Sequence, residues 1–208
     1  MMLDVPNDLD SQKVANNNNL INKYLSGPRE TSAESEKSFS YEAKKLYQND
    51  VSGYVALLKQ VIDEGRIDSK NTFLCRDIKS IKDYDAFLDL AKHAINAKVL
   101  SEADKLDLNK EFLDRLLLLN QDDPTITTNE LAPKILASKI VDGFKKLYPN
   151  NNECRLSLLA AVRVMGSPFM NYFMNSFRDA VNQLLPPNTA MAPTTSATSA
   201  TGSPNRYS

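Results

Sequence analysis

From Cys154 to Met165 the chain reads CRLSLLAAVRVM, apolar on almost every side and interrupted only by Arg155, Ser157 and Arg163. Such a run predicts a helix enclosed by its neighbours. Gly166-Ser167-Pro168 then breaks it. Gly suits the left-handed position after a helix, Ser an N-cap, and Pro the first turn of the next helix. From Phe169 to Leu185 the pattern becomes a stripe. Phe169, Phe173, Phe177, Ala180 and Leu184 recur at helical spacing, with Met170, Met174, Val181 and Leu185 beside them. Asn171, Asn175, Arg178, Asp179 and Asn182 fall opposite. The two runs predict a helical hairpin over Asn152–Leu185, in which the striped helix closes Phe173 and Phe177 onto Leu158, Leu159 and Val162.

The same periodicity recurs upstream. In Ser52–Glu64, Val55, Leu58, Val61 and Ile62 share a face and Gly65 is a stop signal. Asp83–Lys98 carries Tyr84, Phe87, Leu88, Ala91, Ala94 and Ile95, with Asp83 as the cap. Ser101-Glu102-Ala103-Asp104 resembles a capping box with Asp in place of Glu and opens a helix to Leu119 carrying Leu106, Phe112, Leu113, Leu116 and Leu117. Pro133–Leu147 follows with Leu136, Ile140, Phe144 and Leu147, and shorter helices are expected at Ser40–Asn49 and Thr72–Ser80. No stretch alternates convincingly enough for a strand. The expected fold is all-α, an irregular bundle of roughly six to eight helices ending in the C-terminal hairpin.

Polar stretches bound that domain. Residues 1–37 are Asn-rich and short of apolar periodicity, so they are expected to be mostly disordered, with one apolar island at Leu20, Ile21, Tyr24 and Leu25 that could make a turn of helix or a docking motif. The folded domain is placed at 38–186. Residues 187–208 are Pro, Ser, Thr and Ala in a low-complexity tail, also expected to be disordered. Asn120–Ala132 lacks a convincing period and is expected to be a loop.

Composition removes some functions. The 208 residues carry a formal charge of −1, which argues against a nucleic-acid binder working through a basic surface. The start, MMLDVPNDLD, has neither the basic flank nor the apolar core of a secretory signal, which favours the cytoplasm. The longest apolar run is about a dozen residues, too short to span a bilayer. Two cysteines and one histidine, widely spaced, make no metal site, and no Gly-rich phosphate loop implies a cofactor.

The remaining chemistry is sparse. Cys154, in the first turn of a helix, is the candidate nucleophile, because backbone N–H groups there favour a thiolate. His93 falls mid-helix, off the apolar face. Asp83, Asp85 and Asp89 share a helix, where a solvated face explains them. Tyr54-Val-Ala-Leu-Leu and Tyr84-Asp-Ala-Phe-Leu match about thirty residues apart, as two similar amphipathic helices would.

The absence of catalytic groupings points to a non-enzymatic protein–protein interaction protein. It would contact another protein through a helix groove or through Asp122, Asp123, Thr127 and Asn129 of the Asn120–Ala132 loop. The alternative is a small enzyme using Cys154 or the acidic loop around Asp122. The composition of Pro187–Ser208 resembles the C-terminal signals of effectors that bacteria translocate into host cells, without the glutamate cluster common in one large class. That resemblance implies a host protein as partner and the host cell as destination.

Overall fold

The computed structural model describes residues 8–25, 33–67, 73–120, 132–165 and 177–186. Within them the chain is all-α. The helices are α1 (Asp8–Tyr24), α2 (Ala33–Leu46), α3 (Val51–Asp63), α4 (Phe73–Ser80), α5 (Tyr84–Asn96), α6 (Glu102–Leu119), α7 (Ala132–Leu147) and α8 (Asn151–Met165). A further helical segment occupies residues 177–184.

The expected start and stop signals act where they were read. Asp83 accepts the N–H of Ala86 at 2.8 Å, and Ser101 accepts that of Asp104 at 3.1 Å. Each satisfies a donor that the first helical turn leaves unpaired. Gly65 ends α3 with φ +65°, its N–H reaching Ile62 O and that of Arg66 reaching Val61 O. This is the crossed pair of a Schellman ending. The C-terminus of α5 closes in the same way, but the left-handed position there is Lys98, with φ 58°.

The core runs through all these helices and centres on α6. Phe112 lies 6.1 Å from both Tyr84 and Phe87 of α5 and 5.1 Å from Phe144 of α7, measured between ring centroids. Gly143 lets α7 approach closely, since a Cβ there would stand 2.7 Å from a methyl of Leu116. Arg115 ties α6 to the α4–α5 turn. Its guanidinium donates to Ile81 O and Lys79 O at 2.7 and 2.9 Å and lies 3.9 Å from the centroid of the Phe87 ring. α8 packs most extensively on α6 and also on α7.

Two features differ from expectation. First, helical order begins well before Ser38. Within residues 8–25, α1 docks on α2 and α3 through the apolar island, with Ile21 and Leu25 buried. Asn17 on the same face is buried against Tyr47, whose hydroxyl it accepts. α2 likewise starts at Ala33, with Glu34 and Glu36 in its first turn and Lys44 and Lys45 in its last, charges suited to the helix dipole. Second, α8 is not enclosed. Cys154, Leu158, Ala161 and Val162 are buried, yet Leu156, Ala160 and Val164 form an exposed stripe at helical spacing. The tail at 187–208, residues 121–131 of the Asn120–Ala132 connection, and the hairpin corner with Phe169 and Phe173 lie outside the described residues. Of the striped helix, Phe177, Ala180, Val181 and Leu185 are buried and Leu184 is exposed.

Candidate functional site

Three helices and the turns that precede α6 and α8 build a groove that carries an exposed apolar side chain. The end of α5 contributes Ile95 and Asn96, and the left-handed bend at Lys98 turns the chain into Leu100 and Ser101. α6 adds Glu102, Lys105, Leu106 and Asn109, while α8 adds Glu153, Leu156, Ser157 and Ala160. The groove holds about 930 Å³, within the range of small-ligand and peptide sites.

Its polar groups are held in place. Asn150 caps α8 by accepting the N–H groups of Asn152 and Glu153 at 2.9 and 3.2 Å, which sets the helix beside Tyr148. The Tyr148 hydroxyl donates to Asn109 Oδ1 at 2.8 Å, and burial pushes its pKa above the usual tyrosine value. Lys105 pairs with Glu102 at 2.7 Å. Against this fixed lining Leu156 is 53% exposed. Water therefore covers an aliphatic side chain at the wall of the cleft.

The reactive residues stand elsewhere. Cys154 is buried, and burial raises its thiol to a pKa of about 11. The position near a helix N-terminus that suggested activation is outweighed by desolvation of the thiolate. Cys75, also buried, is raised to about 12, first by burial and then by Asp104 and Asp107. His93 Nε2 lies 2.8 Å from Asp63 Oδ1 across the α3–α5 contact. Asp83 is committed to its cap and Asp89 to Lys59 at 2.7 Å. No cluster of His, Cys, Asp and Glu able to hold a metal occurs among the described residues. Asp122, Asp123, Thr127 and Asn129 lie outside the described residues.

One buried polar centre had no signal in the sequence. Asp77 of α4 is wholly buried. Its carboxylate accepts from Ser40 Oγ and Lys44 Nζ of α2, each at 2.8 Å, and from the Tyr54 hydroxyl of α3 at 2.9 Å. Arg76 Nε stands 3.7 Å away. Burying a carboxylate costs several kcal/mol, offset here by three donors, one of them the Lys44 ammonium, and by the nearby Arg76 cation. Every partner is engaged within the protein, so the cluster fixes α2, α3 and α4 together.

Comparison with family models, with curated proteins and with solved structures returned no match. Among the described residues no helix is long and apolar enough to cross a membrane.

Proposed function

We propose that this chain is a non-enzymatic binding protein whose groove between α6 and α8 takes a segment of another protein. The observation that supports it is the exposed Leu156 within a preformed cleft of about 930 Å³. The cleft combines aliphatic wall residues with a charged rim of Lys98, Glu102 and Glu153. An amphipathic helix or short extended peptide would bury its apolar side on Leu156 and Ala160 and keep its polar side toward that rim. The cleft contains no histidine or cysteine, while both thiols of the chain are buried and shifted away from reactivity.

Affinity capture with wild type and Leu156→Glu tests this reading. A partner retained by wild type and lost by a variant of unchanged melting temperature supports it. Identical capture by both proteins contradicts it. The compositional resemblance of Pro187–Ser208 to C-terminal translocation signals supports a finer reading, in which the chain reaches its partner inside a host cell. Fusing residues 187–208 to a reporter enzyme and measuring delivery tests that separately.

A further inference from the structure

The arginines of the described chain fall into two groups. Arg66 pairs with Glu64, Arg76 with Asp77 and Arg115 with Glu111. Arg155, Arg163 and Arg178 have no carboxylate partner among the described residues, and all three lie on α8 and the C-terminal helical segment. Between those two elements is a pocket of about 350 Å³, lined by Leu159, Val162, Arg163, Phe177 and Arg178. It shares no lining residue with the groove described above.

Two further atoms belong to the same pair of helices. The Nε of Arg155, one turn before Leu159, is buried without an acceptor, and the Oδ1 of Asn182, one turn after Arg178, is buried without a donor. A buried N–H with no acceptor loses its hydration without replacement. Asp179, next to Arg178, is the acidic side chain of this segment and is exposed. In a chain of formal charge −1, this end concentrates cationic groups around an apolar floor.

We infer that this pocket binds a small amphipathic anion, with an alkyl body against the partly exposed Leu159 over the buried Val162 and Phe177, and a carboxylate or phosphate head on the exposed Arg163 and Arg178. Guanidinium groups match such heads bidentately and bind them with charge-assisted hydrogen bonds. The volume lies near the lower end for ligand pockets, which suits one medium-length chain better than a two-chain lipid. The proposal is independent of the groove and of its protein partner.

The test uses full-length, isotope-labelled protein titrated with decanoate, decyl phosphate and the neutral control decanol, each kept below its aggregation limit. Nuclear magnetic resonance should show saturable shifts at the Leu159 and Val162 methyls and at the Arg163 and Arg178 Nε–H signals. The preferred head distinguishes a carboxylate from a phosphate ligand. Decanol should bind at least about 10-fold more weakly, the effect of losing one charged pair. Arg163→Gln/Arg178→Gln should weaken the anions by a similar factor at unchanged melting temperature, whereas Arg66→Gln should not. The proposal is overturned by equal affinity for decanol, by undiminished binding to the double variant, or by no saturable shift. Retention on anionic vesicles without binding of monomeric anions would likewise overturn it in favour of a membrane surface.

Discussion

Tyr54 on α3 and Asp77 on α4 meet at 2.9 Å, the phenol donating to a carboxylate that has no contact with solvent. Burial raises the Tyr54 pKa far above the ordinary tyrosine value, and the Asp77 charge adds to the shift. Removing the hydroxyl takes away a hydrogen bond to a charged acceptor, so Tyr54→Phe should destabilise by about 1.5–3 kcal/mol. Asp77→Ala leaves the Ser40 and Tyr54 hydroxyls without their acceptor and should cost about 3 kcal/mol. The double variant should lose less than the sum, because the two residues share one interaction. Urea denaturation of the four proteins measures this, and strict additivity would show that the contact carries no energy.

The cysteines supply a pH dependence with a defined sign. Cys154 and Cys75 have folded pKa values of about 11 and 12, against about 8.5 in an unfolded chain. As pH rises past the unfolded value, the unfolded state loses protons that the folded state keeps. Stability should therefore be fully present below about pH 8.5 and fall as pH climbs toward the folded values. Cys75→Ala/Cys154→Ala should have a lower starting stability but a flatter decline over that interval. Below that interval, a thiol reagent should label neither cysteine of the native protein and both after unfolding. Rapid native labelling of Cys154 would instead support the enzyme reading.

Lys98 ends α5 in the left-handed region, with φ 58°. For a residue with a Cβ this conformation costs roughly 1–2 kcal/mol. Lys98→Gly removes the strain but adds freedom to the unfolded chain, so the expected gain is about 0.5–1 kcal/mol. Lys98→Val should be destabilising, because a β-branched residue resists that region more strongly. Thermal melting of both variants checks the ordering Gly above Lys above Val.

Much of the body was legible because local signals agreed. Apolar periodicity, Asp83, Ser101 and Gly65 placed α3, α5 and α6 nearly where they lie. α1 was legible only as one turn around Leu20–Leu25, not at its full length, because its buried stripe is short. Ile21 and Leu25 supply the aliphatic anchors, while Asn17 is buried only because Tyr47 meets it from a different helix. Asp77 was missed for a related reason. In Phe73-Leu-Cys-Arg-Asp-Ile it reads as an ordinary polar helix position, and Ser40, Lys44 and Tyr54 reach it from distant parts of the chain. The groove was anticipated only as a type of site. Its walls come from α5, α6 and α8, and the pattern of Cys154–Met165 suggested enclosure where the fold leaves Leu156 in water.

The most direct measurement places a photo-crosslinking amino acid at position 156 and, as a control, at the exposed Tyr41 on α2. Both proteins are irradiated with the captured partner, and the adducts are mapped by mass spectrometry. A groove that takes a partner segment predicts a discrete adduct from position 156, carrying one short peptide of the partner, and none from position 41. Equal adducts from both positions, or crosslinking from 41 alone, would contradict the groove as the binding site.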